Sequence, residues 1–442
     1  MRILLLILLS ISTFGQIDKK KAFIVLQGSG TTPAPEYYYA DLPTPLPTQG
    51  DATLLNISMG SSITQAELGT GVRMGLVPTA GYANTLRASQ LVGTSGDPFI
   101  FKSESDATYS VVGGPTLPNG SNYLGQTGAT ISDWVTFNHL IALGNQSVGS
   151  GTGFRWFGKA GGSNASLIDV IIKSPQSPGV QFNGLASTNS GTYGTMRFEF
   201  VRIFGDGVDN EGFYMGETSV SDHGIVDSLF VYDSVVDSTG WDGFQANSVQ
   251  NLHWNHLTAT RTGISATSGQ KSAVQMQNIG DGFLVENSVF QGTQAFQIAG
   301  RDGTFRNCTF IFEEAGLYQD LATIGYTTPL STIGGTVTFE DCDFVYIGVG
   351  TLAAAIDLRE EDSFFTFTNC RKSSNITDLV DDNRSSPTQG SSPNWGLTET
   401  GTGTVSYYPV TYNNITYTDP DAGLITEVHY RILGQGARNR IN

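Results

Sequence analysis

The sequence is short of several things that define protein classes. Three cysteines in 442 residues cannot form a disulfide framework. No C-x-x-C or close His pair accompanies them, so they do not form a zinc site either. There are 23 basic residues against 40 acidic ones, a formal net charge of −17, which leaves little of the Lys and Arg that phosphate contacts require. No nucleic-acid partner is expected. The same acid surplus makes a bare anionic polymer an awkward ligand unless bound calcium or a basic patch offsets the repulsion. Runs of helical periodicity are missing. No apolar stretch approaches the roughly 20 residues needed to cross a bilayer, so the chain is not expected to span one. Its 54 glycines show no three-residue period, which excludes a collagen-like chain, and 25 Phe with 17 Tyr are too many for disorder.

What is present begins with an address. Arg2 precedes the apolar run Ile3 to Leu9, and Thr13-Phe14-Gly15 offers a small-x-small cleavage site. Residues 1–15 are expected to be a signal peptide, and the protein to be secreted, periplasmic or on the cell surface.

The three cysteines share one phrase: Phe305-Arg306-Asn307-Cys308-Thr309-Phe310, Phe339-Glu340-Asp341-Cys342-Asp343-Phe344 and Phe367-Thr368-Asn369-Cys370-Arg371-Lys372. The phrase returns without cysteine around Asn287-Ser288 and Asp233-Ser234. One structural position is being revisited, so the thiols are expected reduced, buried and stacked. A second phrase recurs on its own schedule: Gly153-Phe154-Arg155-Trp156, Gly179-Val180-Gln181-Phe182, Gly212-Phe213-Tyr214-Met215, Gly243-Phe244-Gln245-Ala246, Ala273-Val274-Gln275-Met276 and Ala295-Phe296-Gln297-Ile298. Gly316-Leu317-Tyr318-Gln319 and Ala355-Ile356-Asp357-Leu358 continue it less cleanly. Each is a short strand with apolar, polar, apolar order, separated by Gly, Asn, Asp and Ser turns. Two strand types alternating with turns at irregular intervals describe a coil of parallel strands, each paired with its equivalent one turn away. A sandwich would not place Gln at one strand position four times (Gln181, Gln245, Gln275 and Gln297), whereas stacked turns do so readily.

Asn210-Glu211-Gly212-Phe213-Tyr214-Met215-Gly216 and Ser238-Thr239-Gly240-Trp241-Asp242-Gly243-Phe244-Gln245, with the Asn-Cys strands, resemble secreted bacterial right-handed parallel β-helix proteins of the pectate-lyase-like superfamily. The resemblance covers roughly residues 95 to 375. It implies an all-β fold: a right-handed parallel β-helix over 96–380. An extended arm or amino-terminal cap would occupy 16–95, with a linker and short carboxy-terminal β extension over 381–442. That superfamily spans polysaccharide lyases, glycoside hydrolases, esterases, phage tailspikes and non-catalytic surface proteins. Ser221-Asp222-His223-Gly224 only partly echoes the polygalacturonase step, and the Arg-rich lyase signatures are absent, so no family catalytic residue transfers.

Candidate chemistry follows from the repeat alignment. Glu211, Asp242 and Ser272 occupy one position on three consecutive turns, and Asn210, Trp241 and Lys271 the position before. Two carboxylates one strand spacing apart suit glycoside hydrolysis as acid and nucleophile. They equally suit a shared calcium ion, with Lys271 as the base of a lyase. They also suit a bland role as turn residues bonding backbone N–H groups. Arg155, Gln181, Tyr214, Gln245, Gln275 and Gln297 are expected to line a wet outward column, with Asn183, Asn247 and Gln277 beside it. Of these, Tyr214, Gln245, Asn247, Gln275 and Gln277, with the Trp241 indole, are the candidate substrate-binding groups. His253 and His256 fall on opposite strand faces and so make no metal pair. His223 beside Asp222 is a possible general base, and Asp357 with Arg359 a surface ion pair. The function expected is action on a polysaccharide or cell-surface glycan. The alternatives are a non-catalytic binding, adhesive or surface module, or a phage-type spike. The oligomeric state expected is a monomer or homotrimer.

Overall fold

A computed structural model of the chain describes residues 52–56, 59–113, 123–126, 132–143, 151–158, 163–173, 175, 177–184, 192–205, 210–216, 225–265, 272–300, 302–313, 320–321, 335–348, 350–358, 363–368, 370–373, 375–382, 410–412 and 415–417. From Ala52 to Asp382 every named strand pairs in parallel with its counterpart on a neighbouring turn. The result is a parallel β-helix.

Three faces make the coil. The first runs from Ala52–Leu54 through Met74–Val77 and Phe99–Ser103 to Ile225–Tyr232, Phe283–Glu286, Gly335–Glu340 and Ser363–Thr368. The second includes Ser110–Gly113, Arg202–Phe204, Val235–Asp237, Thr258–Thr262, Val289–Gly292, Thr309–Phe312 and Asp343–Tyr346. The third, which carries the candidate site, stacks Leu124–Gln126, Phe154–Gly158, Val180–Gly184, Phe213–Met215, the first half of Phe244–Asn255, Ser272–Ile279 and Gln294–Gly300.

Alternation within each strand sends one set of side chains inward, and stacking at the strand spacing lays like on like. Phe305, Phe339 and Phe367 stack with centroids 5.3 and 5.2 Å apart, and Phe213 lies on Phe244 at 5.0 Å. These rings are essentially inaccessible and run into one continuous core.

The turn from first to second face repeats one backbone geometry. His139, Asp169, Phe200, Asp233, His256, Asn287, Asn307 and Asp341 all adopt left-handed conformations, with φ between 48° and 59°. Asn and Asp tolerate that region best among non-glycine residues, which explains the Asn or Asp before each of Cys308, Cys342 and Ser288. The next position points inward. There the Ser234 and Ser288 hydroxyls donate to the carbonyls of Tyr232 and Glu286, two residues back, at 2.9 and 2.6 Å. Cys308, Cys342 and Cys370 make the same contact, to Arg306, Glu340 and Thr368 at 3.4, 3.3 and 3.5 Å. Cysteine and serine are therefore alternatives at one column, as the repeated phrase suggests. All three thiols are free and buried. Burial pushes the Cys342 thiol well up, and the neighbouring Cys342 raises that of Cys370. Titration with a thiol reagent is expected to find no reactive cysteine in the native protein and three per chain in denaturant; rapid native labelling would contradict the burial.

One boundary differs from the expected one. Pairing on the first face begins at Ala52, whose partner is Met74, so coil turns extend well before residue 96. The Thr, Pro and Gly content of this stretch obscures strands only two to four residues long. One short helix, Gln65–Leu68, interrupts it and is started by a capping box between Thr64 and Glu67. At the other end Val410–Tyr412 and Ile415–Tyr417 pair antiparallel, a short β hairpin within the expected carboxy-terminal extension. Among the described residues no helix is long and apolar enough to cross a membrane.

Candidate functional site

The backbone ladder fixes the alignment on which the site depends. Gly179 N–H donates to Glu211 O, Gly212 N–H to Asp242 O and Gly243 N–H to Ser272 O, each at 2.9 Å. Glu211, Asp242 and Ser272 thus hold one position on consecutive turns. Trp241 N–H donates to Asn210 O at 2.9 Å, one position earlier. Glycine is required just after the acids: a Cβ on Gly212 would lie 2.4 Å from Gly243 O, and one on Gly243 2.6 Å from Ala273 O. Lys271 lies outside the described residues, as do Asp222, His223 and Arg359.

The two carboxyls are enclosed. Glu211 is 3% exposed and Asp242 0%. Asp242 Oδ1 accepts the Ser272 N–H at 2.7 Å, a link from one turn to the next, while Oδ2 has no partner. Asn210 makes a similar tie, donating to Pro175 O at 2.8 Å and accepting from Gly240 N–H at 3.1 Å. Part of the bland role is therefore real: Asn210 and Asp242 bond backbone groups. Burial, and then the charge of Asp242, push the Glu211 carboxyl up to about 8. Burial pushes Asp242 up to about 7 against the pull of the Ser272 N–H. At neutral pH the pair holds a proton, because two carboxylates cannot both ionise cheaply in a low-dielectric setting.

The column beside them has the expected register and an unexpected environment. Arg155, Gln181, Tyr214, Gln245, Gln275 and Gln297 are paired in turn, and Asn247 pairs with Gln277. They sit on the strand face opposite Phe244, Ala246, Val274 and Met276. Arg155, Gln181 and Tyr214 are partly buried. Gln245, Asn247, Gln275 and Gln277 are not wet: their exposures are 0, 1, 3 and 2%. Alternation in the sequence tells which side of a strand a residue leaves from, but not whether other parts of the chain lie over that side. Neither amide atom of Gln245 or of Asn247 has a hydrogen-bond partner, and the same holds for Gln277 Oε1 and the Trp241 indole N–H. Buried polar atoms are normally paired, so unpaired amides at neighbouring register positions (Gln245, Asn247 and Gln277) mark a place where water or a ligand belongs. The side chains of Asn183 and Gln297 are outside the described ones.

A four-residue cluster has no counterpart among the sequence motifs. The Asp169 carboxylate accepts from Tyr109 O–H at 2.7 Å and Arg202 at 2.6 Å, and meets His139 Nδ1 at 2.8 Å. Burial alone would raise Asp169, but the bonds from His139, Arg202 and Tyr109 outweigh it and hold the carboxyl low. Burial pushes Tyr109 up to about 12. The oxygens of Asp169 and Tyr109 are all engaged, so the cluster ties successive turns. Spacings close to one turn length between residues 109, 139, 169 and 202 are the signal in the sequence that points to it.

The histidines play separate parts. His253 meets Tyr232 O–H at 3.1 Å and Glu286 at 3.5 Å, while His256 sits at a left-handed turn 3.6 Å from Asp233. Among the described residues no group of three or more His, Cys, Asp or Glu is placed to hold a metal ion. Of the acid pair, one Asp242 oxygen is taken by a backbone N–H.

Fold and site together define a parallel β-helix protein with an enclosed, incompletely satisfied polar site on its third face. No family model and no curated protein matches the chain. Among solved structures it is similar to GH136 lacto-N-biosidase from Eubacterium ramulus, at 11% identity over 70% of this chain and 60% of that one, with a TM-score of 0.48. It is also similar to an alginate lyase from Paenibacillus sp. str. FPU-7, at 11% identity, 73% and 99% coverage and a TM-score of 0.37. A third is the A-module of the mannuronan C-5 epimerase AlgE4 from Azotobacter vinelandii, at 11% identity, 72% and 91% coverage and a TM-score of 0.38. The chain spans 60% of the length of the lacto-N-biosidase. Likenesses at this level carry no argument about chemistry, which must come from the site itself.

Proposed function

We propose that the protein is exported and acts on a polysaccharide or cell-surface glycan at the third face, as a glycoside hydrolase. The observation behind this reading is a buried carboxyl pair on adjacent turns, one oxygen of it unpartnered, on the face that also carries amides without protein partners. The Ser272 N–H donated to Asp242 Oδ1 favours the ionised form of Asp242, which leaves Glu211 as the acid that protonates the leaving glycosidic oxygen. Asp242 offers its unpartnered Oδ2 as nucleophile. Carboxyls one strand spacing apart, about 4.8 Å between backbones, suit a retaining mechanism, which works at roughly 5–5.5 Å. Trp241, partly buried, provides an apolar ring on which a sugar can stack. Export is inferred from the amino-terminal apolar segment.

A purely binding role is the second reading, and the bond from Ser272 to Asp242 favours it, since it gives the carboxyl a structural task. A polysaccharide screen that records both reducing ends and unsaturated products separates the cases. New reducing ends without unsaturation are expected. Unsaturated products would replace hydrolysis with elimination, and binding without either product would leave the non-catalytic role.

A further inference from the structure

We infer that the glycan taken by this site is uncharged, a hexose or N-acetylhexosamine polymer, not a polyuronate; the inference rests on the site assignment above. It follows from the balance of unsatisfied groups. Unpaired donors are the Trp241 indole N–H and the amide nitrogens of Gln245 and Asn247. Unpaired acceptors are the amide oxygens of Gln245, Asn247 and Gln277, and Asp242 Oδ2. Both ends of the Gln245 and Asn247 amides are unpaired, so the balance does not depend on which way round either amide is placed. Among the amides, donors and acceptors are thus intermixed across two neighbouring columns, set by the pairing of Gln245 with Gln275 and of Asn247 with Gln277.

A sugar hydroxyl both donates and accepts, so a row of hydroxyls can satisfy such a surface throughout. A uronate carboxylate only accepts. Wherever it faced an amide oxygen it would leave that oxygen unpaired in a buried setting, and it would bring a further negative charge toward Glu211 and Asp242. Uronate recognition needs a cation to offset this, and among the described residues of the column the cation, Arg155, stands three turns below Gln245 in the register. The formal net charge of −17 repels a polyanion at longer range as well.

The test is calorimetric titration of the full chain with two oligosaccharide panels at one ionic strength. One panel holds neutral hexose and N-acetylhexosamine oligomers, the other oligouronates. At least one neutral oligomer is expected to bind and no oligouronate. Gln245→Leu and Asn247→Leu should each weaken that binding at least about tenfold, because a site built to bond hydroxyls discriminates strongly once a partner is removed. If either buried variant fails to fold, Trp241→Phe removes one N–H from a partly buried ring and should still weaken binding severalfold. Oligouronate binding that Gln245→Leu abolishes would overturn the inference and leave the site assignment standing. Neutral-glycan binding untouched by these variants would overturn both, and so would no binding in either panel.

Discussion

Glu211→Gln and Asp242→Asn are each expected to lower glycan turnover by about 10²- to 10⁴-fold, the span a positioned acid or base commonly contributes. Both variants keep side-chain shape, and the amide oxygen introduced by Asp242→Asn can still accept the Ser272 N–H. Loss of activity should therefore not come with loss of fold. Wild-type turnover should decline on the alkaline side near pH 8, where Glu211 gives up the proton it must donate. The same groups shape stability. Their ordinary values of 4.5 and 3.8 are raised to about 8 and about 7 in the folded protein. The native state therefore holds protons that the unfolded chain has already released, and stability falls as pH rises from about 4 to about 8. The size of that fall reports how far burial raises the two proton affinities together. Thermal melts at pH 5 and pH 8 should show the wild type losing more than Glu211→Gln. Equal slopes for the two proteins would mean that the carboxyls are better solvated than their burial indicates. Full turnover in both variants would remove the pair from the mechanism.

Gly212→Ala should strongly damage the fold beside the site. The added methyl would sit 2.4 Å from Gly243 O and 2.5 and 2.7 Å from the two Val236 methyls. A side chain can yield a little, but the carbonyl is itself committed to the Phe213 N–H at 2.8 Å. Two turns of the coil would have to part, which costs about 3 kcal/mol or more by comparison with overpacked cores. Glu211 and Asp242 would separate at the same time. Gly96→Ala is the control, since nothing lies within 4 Å of a Cβ there. Denaturant melts should show a large drop in midpoint for the first and almost none for the second. A Gly212→Ala protein as stable as the wild type would mean that the turns pack less closely than the ladder indicates.

Much of this is legible in the sequence because a coil of parallel strands repeats its environment. The Asn-Cys and Asp-Cys phrases mark a left-handed turn followed by an inward position. The apolar, polar, apolar order of Phe213-Tyr214-Met215 and Phe244-Gln245-Ala246 marks core and opposite faces. Counting between such phrases is enough to align Glu211 with Asp242 and Asn210 with Trp241, since backbone pairing in register leaves no freedom once two anchor residues are matched. The Tyr109, His139, Asp169 and Arg202 cluster shows the limit of that method. These residues share no local phrase, only a spacing near one turn length, and their contact appears when successive turns approach.

Local alternation and its repetition account for the coil, its period, the buried thiol column and the placement of two carboxyls on adjacent turns, and all of these can be read from the residues in order. What surrounds them cannot. Gln245, Asn247 and Gln277 leave the strand on the outer side and are expected in water, yet the folded chain encloses them, and Glu211 and Asp242 with them. Burial is a property of everything packed around a residue, and no local pattern encodes it. It is burial that raises both carboxyls and leaves the amides unpaired, and these two consequences turn an aligned pair of acids into a candidate site.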